Sequence, residues 1–255
     1  MTMQDDRFKR VELMLGKDAC ERLSNSFVTI VGLGAVGGYA TEALARVGIG
    51  RIRVIDFDKI ALSNINRQIY ALQSTLDRPK CEVARERILD INPWCNVETV
   101  DGFIDGTTTA DYIGDSPDIV IDAIDGLNPK VSLLADLRSR QVKFISCLGA
   151  ALRTDPTAVR IAPLDKVHHC PLGSEVRNRL RRRGIPVDFP CVFSEEPMPY
   201  PLPIAAPTDR LGDEPAIARG RIRNTLGSLP TITGIFGLTA ANLALNMLVG
   251  KEQRW

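Results

Sequence analysis

Residues 27–58 read FVTIVGLGAVGGYATEALARVGIGRIRVIDFD, and this stretch decides the fold. The apolar run from Phe27 to Val31 predicts a short buried strand, and it ends directly in GLGAVGG. The Ala- and Leu-rich residues that follow have helical spacing. A second apolar run, Ile52 to Ile55, ends in Asp56, about 20 residues past the glycines, where a dinucleotide-type unit sets an acid against a ribose. Strand, glycine turn, helix and acid-tipped strand together predict a nucleotide cradle. Gly32 supplies the tight turn, Gly34 lets backbone approach a phosphate, and Gly37 lets the helix pack close to the strand. The helix N-terminus offers unpaired N–H groups to an anion.

The bulk numbers narrow the class. At 255 residues the chain can form one large domain, or a core with a smaller appendage, and the second organisation is expected. Hydrophobic residues at 44% and charged residues at 25% exclude disordered and fibrous proteins. A net charge of +1 gives no general affinity for polyanions, so any nucleic-acid contact needs a local patch. The six cysteines are scattered and form no CxxC pair, so no structural zinc knuckle is written. The start, MTMQDDRFKR, lacks an apolar h-region, and reduced thiols in the cytoplasm are expected. The longest apolar tract, Leu238 to Val249, carries Asn242 and Asn246 and is expected to be too short to cross a bilayer, so no membrane partner is expected.

Taken in order, Asp5 to Leu15 predicts a helix with Asp5 as cap, Gly16 as stop, and Arg7 and Arg10 on one face. The polar stretch LSNINRQIYALQSTLDRPK carries Asn64, Asn66, Arg67 and Lys80 and is long enough for a functional loop. A helix from Pro79 to Ile91 and a strand from Asn96 follow. A strand from Asp118 to Asp125, a helix from Pro129 to about Gln141 and a strand from Lys143 complete a further α/β unit. This alternation predicts an α/β fold with a doubly wound, mostly parallel, Rossmann-like sheet. The glycine turn, Asp56 and Asp125 would all fall at strand C-termini. Past residue 150 an irregular C-terminal extension is expected. It would hold a short strand AVRIAPL, a helix SEVRNRLRRRG capped by Ser174 and ended by Gly184, and a proline-rich insertion from FPCVFSEEP to GRIRN. PTITGIFGLTAANLALNMLVG would then return as a loop and a helix.

The polar residues beside the glycines are Asp56, Asp58, Asn64, Arg67, Lys80 and Asp125, a set unsuited to simple hydride transfer. Two cations, an amide and an extra acid suit a triphosphate with bound Mg2+, the cations offsetting charge that builds as pyrophosphate leaves.

Over residues 7–150, RFKR, GLGAVGG, DFDKIALSNINRQ, RPKCEVARERILDINP and VIDAIDG resemble the motifs of the ubiquitin-activating-enzyme-like adenylyltransferases. DFPCVFSEEP, GSLPTITGIFG and the missing CxxC pairs are similar to the branch of that family that dehydrates threonylcarbamoyladenosine in tRNA. The resemblance implies ATP and Mg2+, with Asp56 on the ribose, Arg67 and Lys80 on the phosphates, Asn64 assisting and Asp125 on the metal. Arg10 would reach the ATP of a partner subunit, which implies a homodimer. The implied division is an ATP-binding adenylation core with the N-terminal helix over residues 1–163, and a substrate-binding and dimerisation extension over 164–255. The resemblance leaves room for a monovalent cation and a sulfur-relay helper protein, and implies no zinc.

The implied reaction is ATP-dependent loss of water through an acyl-adenylate. Two alternatives stand beside it: adenylation of the C-terminus of a small sulfur-carrier or ubiquitin-like protein, and a nucleotide-binding module without turnover. Cys191 in FPCVF is the candidate for a thioester, which a dehydration does not need. His168, His169 and Cys170 read as either a metal cluster or an exposed loop. Arg177, Arg179, Arg181, Arg182 and Arg183, with Arg219, Arg221 and Arg223, read as either an RNA-phosphate surface or a solvated face.

Overall fold

A computed structural model describes residues 6–114, 117–198 and 226–251. Its centre is a seven-stranded sheet of order β3-β2-β1-β4-β5-β7-β6. The strands are β1 (Phe27–Val31), β2 (Arg51–Asp56), β3 (Asn96–Asp101), β4 (Ile119–Asp122), β5 (Phe144–Cys147), β6 (Val159–Pro163) and β7 (Pro190–Ser194). Neighbours pair in parallel except β6, which runs antiparallel to β7. Strands β1, β4 and β5 are buried at every position, as continuous apolar runs covered on both faces must be.

Helices cover both faces. The first pair, α1 (Lys9–Leu15) and α2 (Lys17–Asn25), precedes β1. One face carries α3 (Gly37–Arg46), α4 (Lys80–Ile91) and α8 (Pro230–Leu248), whose Leu44, Ala84 and Phe236 share a core with Ile30 and Ile121. The other carries α5 (Thr109–Ile113), α6 (Leu127–Ser139) and α7 (Pro171–Arg182), whose Ile113, Leu134 and Val176 pack with Val120 and Phe144. The sheet is therefore doubly wound, and truncating a residue such as Phe236, which has no exposed surface, is expected to cost about 3–5 kcal/mol.

Several local expectations are corrected. The N-terminal helix stops at Gly16, at φ +85°, as expected, but a further helix, α2, follows it at once. Asp5, its expected cap, lies outside the described residues. The strand expected to reach Asp125 ends at Asp122, and α6 begins at Leu127, ahead of Pro129, since a first-turn proline is compatible with a helix. Ser174 lies inside α7. The cap is Cys170, whose Sγ accepts from Gly173 N at 3.3 Å, because Pro171 pre-sets the first turn.

The proline-rich segment is not irregular at its start. FPCVFS contains β7, which enters the sheet between β5 and β6, with proline at the first strand position, where a missing N–H is tolerated. Residues 199–225 of that segment lie outside the described residues. PTITG is helix rather than loop: α8 starts at Pro230 and has 19 residues, long and apolar enough to cross a membrane by length. Here it packs on α3 through small residues. A Cβ at Gly237 would lie 2.3 Å from Val36 O.

Candidate active site

The glycine turn leaves β1 between the ends of β2 and β4. Gly32, at φ +92°, donates its N–H to Ile55 O at 2.8 Å, and a Cβ there would sit 2.9 Å from Ala123 O. A Cβ at Gly37 would fall 1.8 Å from Gly32 O, so only glycine lets α3 start this close to the strand. A Cβ at Gly34 would meet nothing within 4 Å. This glycine faces open space, and no side chain caps the helix that begins just beyond it.

Asp56 closes β2 and ties the turn down. Its Oδ2 accepts Leu33 N at 2.6 Å and its Oδ1 accepts Asp58 N at 2.8 Å. Burial pushes its carboxyl above the ordinary range and the charge of Asp58 adds to this, while Lys80 and the two amides only partly offset them.

Lys80 reaches the same spot because the chain returns from its long loop beside Asp58. Ile60 N donates to Arg78 O at 2.9 Å, and Lys80 N donates to Asp58 O at 3.0 Å. The lysine, buried at the first position of α4, puts Nζ 2.7 Å from Asp58 Oδ2 and 4.0 Å from Asp56 Oδ1. Burial works against its charge, but the carboxylates of Asp56 and Asp58 outweigh it, and that of Asp125 adds to them, so the amine is raised and cationic at neutral pH. Asp125 itself is exposed, in the loop after β4.

Asn64 and Arg67 lie on the loop between β2 and α4, which packs on the start of α3 where Ile69 and Tyr70 face Gly38. The buried Asn64 turns its Oδ1 to Ala61 N at 3.1 Å. Arg67 is half-buried and donates to Ser63 O and Asn66 Oδ1, both at 2.9 Å. Among the described residues no carboxylate pairs with it.

Other sequence candidates fall elsewhere. Arg10 is exposed on α1. That helix follows Phe8, which packs on Gly48 in the turn before β2. Asp56 is at the opposite end of β2, roughly 17 Å away at strand rise. Cys191 is fully buried in β7, with Sγ 3.8 Å from Phe189 O, and burial pushes its thiol well above the ordinary range. It has no access to a nucleophile's position. His168 faces Glu195 at 3.6 Å while Cys170 caps α7, and no metal-holding group of three is present among the described residues.

Arg177 is engaged by the carbonyls of Leu164 and Val167, and Arg179 by Asn128. Arg181, Arg182 and Arg183 are exposed at the end of α7, where the chain turns back into β7 and therefore at the far rim of the sheet. A cavity of about 600 Å³ lined by Asp18, Arg22, Asp118 and Lys143 also lies away from the glycine turn. Arg219, Arg221 and Arg223 lie outside the described residues.

Sequence reasoning missed two features. The Leu33 amide holds Asp56 through main chain, which leaves no side-chain signal. Glu196 accepts Thr154 N at 2.8 Å and Asp155 N at 2.9 Å, fastening the loop after β5 to the end of β7. An acid just past a strand, as in FSEEP, was its only trace.

A clamped glycine turn, a strand-end acid and a buried lysine define an α/β nucleotide-binding protein with a site at the C-terminal rim of its sheet. The sequence profile of the ThiF family matches residues 8–254, and the chain belongs to that family. It is 42% identical over 190 residues to the tRNA threonylcarbamoyladenosine dehydratase of Bacillus subtilis, covering 74% of this chain and 75% of that one. Against the Escherichia coli dehydratase it is 34% identical over 257 residues, covering 97% and 95%. The crystal structure of the E. coli enzyme in complex with ATP superposes with a TM-score of 0.85 at 32% identity, covering 98% and 96%. Molybdopterin-synthase adenylyltransferases are more distant relatives, the Haemophilus influenzae protein being 36% identical over 54% of this chain.

Proposed function

We propose that this protein uses ATP to activate the carboxylate of threonylcarbamoyladenosine in tRNA, so that the side chain closes into a ring with net loss of water. The observation that carries this reading is the extent of the match. Similarity to the E. coli dehydratase runs through 97% of the chain, including β7 and α8, whereas the match to the molybdopterin-synthase adenylyltransferase covers 54%.

The chemistry follows from the site. A carboxylate is a poor electrophile because hydroxide leaves badly. Its oxygen attacks the α-phosphorus of ATP and pyrophosphate departs, giving an acyl-adenylate. A nitrogen or oxygen of the same ureido group then attacks the acyl carbon, AMP leaves with the oxygen, and a proton is released. Closure within one molecule has a large effective molarity, so no protein nucleophile is needed, in keeping with the burial of Cys191.

The open backbone at Gly34 and the start of α3 receive phosphate, Asp56 faces the ribose, and Lys80 and Arg67 counter the charge of the departing pyrophosphate. Asp125 is exposed beside this cationic lysine and has the donor chemistry for Mg2+. The bound ion would neutralise triphosphate charge. Since Arg10 lies at the wrong end of its own β2, its role is assigned in trans, to the site of a second copy. Exposed Leu13 and Met14, 76% and 80% accessible on the same helix, supply apolar surface for that homodimer. Arg181, Arg182 and Arg183 are offered as phosphate contacts for tRNA. A cytoplasmic location suits the six free, buried thiols.

The test is mass spectrometry of nucleosides from threonylcarbamoyl-modified tRNA incubated with the protein and Mg-ATP, under conditions that preserve the labile ring. Loss of one water with AMP formation is expected. An unchanged nucleoside with intact substrate, alongside pyrophosphate release driven by a carrier-protein C-terminus, would move the assignment to carrier adenylation.

A further inference from the structure

We infer that Lys130 and Asp122 are positioning residues, a fully buried ion pair that fixes the loop bearing Asp125 against the turn after β5. Neither side chain has any exposed surface. Lys130 Nζ, on α6, donates to Asp122 Oδ2 at 2.6 Å and to Cys147 O at 2.9 Å, and approaches Ser146 Oγ at 3.4 Å. Three acceptors thus surround its ammonium. Asp122 Oδ2 also accepts Ser146 Oγ at 2.7 Å, and its Oδ1 accepts the N–H of Ile124 at 3.1 Å. Ile124 immediately precedes Asp125.

The network therefore joins three elements at one point of the rim: the end of β4, the end of β5 and the first turns of α6. The loop it grips is held from the other side as well. Ala123 N donates to Val31 O at 2.9 Å, and the Ala123 carbonyl is the group that leaves Gly32 no room for a side chain. Asp125 is thereby set relative to the glycine turn by hydrogen bonds in addition to the packing of Ile124 against the core.

Stability alone does not require such a pair. Burying two charges is costly, and well-packed apolar residues of similar volume serve a core equally well or better. Val120, Leu134 and Phe144, on the same face of the sheet, already form an apolar core there. What the ion pair adds is direction: aliphatic side chains could not hold the Ile124 amide and the Cys147 carbonyl in fixed relation. Groups that orient a metal ligand through hydrogen bonds commonly change metal affinity about 10–100-fold when removed.

The inference rests on the reading of Asp125 as the metal-side acid, and a mutant cycle separates the two. The readout is the Mg2+ concentration that half-saturates Mg-ATP binding, measured by calorimetry on the full-length protein. Lys130→Met should raise it about tenfold, and so should the charge-free pair Asp122→Asn with Lys130→Met, which leaves no unpaired buried charge should the single variant fold poorly. In an Asp125→Asn background, Lys130→Met should add nothing. If Asp125→Asn raises the value and the Lys130 variants do not, or if the two effects add in full, the positioning role is overturned. If Asp125→Asn itself changes nothing, the metal assignment fails and takes this inference with it.

Discussion

The ammonium of Lys80 donates to Asp58 Oδ2 at 2.7 Å and so joins the first residue of α4 to the chain just past β2, across the mouth of the nucleotide site. Asp58 keeps 43% of its side chain exposed, while the lysine keeps 5%. The acid is therefore the more accessible partner, placed to give way when phosphate competes for the amine.

Removing that amine should stop the reaction while leaving the fold in place. Lys80→Met is expected to lower ATP-dependent turnover by about 1000-fold, with the circular dichroism spectrum unchanged. Because the folded-state pKa of Lys80 is raised, its pairing stabilises the fold fully below the ordinary value of 10.5. That contribution is lost only as pH climbs through the raised value. Turnover of the variant within tenfold of the parent would remove Lys80 from the chemistry.

The glycine turn gives a paired prediction. Gly37→Ala forces a Cβ to within 1.8 Å of the Gly32 carbonyl, a backbone atom that cannot step aside. It should destabilise the protein by about 3 kcal/mol in urea unfolding. Gly34→Ala meets nothing within 4 Å, so its stability should stay within about 0.5 kcal/mol of the parent. Its ATP affinity should nevertheless fall about tenfold, because the methyl occupies the space where phosphate approaches backbone. Equal ATP affinity in Gly34→Ala and the parent would place the phosphates elsewhere.

Glu42 binds α3 to α4. Its carboxylate accepts from Arg46 Nε at 2.8 Å and from Arg87 Nε at 2.9 Å. Burial alone would push the carboxyl up, but the two guanidinium groups outweigh it and hold the group below its ordinary value of 4.5. A depressed folded-state value means that the clamp stabilises above pH 4.5 and fades as pH falls through the folded-state value. Glu42→Gln should therefore cost about 1–2 kcal/mol at pH 7, discounted because both arginines are about half exposed. Unfolding at acid pH should bring parent and variant together. A gap that persists once the Glu42 carboxyl is protonated in the folded protein would mean that packing, not charge, holds the helices.

The order of β1 to β5 with α3, α4 and α6 was legible because most of these strands carry an apolar run and Gly, Pro or Asp marks their ends, whereas α2 and the short α5 were not foreseen. Asp56, Lys80 and Asp125 were legible as a group for the same reason: the first two flank such elements, and the third follows one. What stayed hidden was decided at a distance. FPCVFS opens a proline-rich stretch that reads as a loop, and only its pairing with β5 and β6 makes it a strand. Lys130 looks like an ordinary surface position of an amphipathic helix, since the acceptors that bury it come from Asp122, Ser146 and Cys147. Arg10 shows the reverse case: its sequence neighbourhood marks it, yet the fold sets it far from its own chain's site.

That displacement supplies the most decisive prediction. If Arg10 works in the site of a second copy, an Arg10→Ala chain still offers an intact cradle that lacks only the partner's arginine, and a Lys80→Met chain still offers an intact Arg10. Each homodimer should be nearly inactive. Co-refolding equal amounts makes half the dimers mixed, and each mixed dimer contains one site with Lys80 from one chain and Arg10 from the other. Activity should therefore recover to about a quarter of the parent's. The measurement is turnover after co-refolding, compared with the two variants refolded separately and then mixed. Recovery only after co-refolding fixes both the dimer and the shared site. No recovery, with mixed dimers verified by differently tagged chains, would overturn the shared site, and full activity in the Arg10→Ala homodimer would leave Arg10 to an ordinary place on the surface.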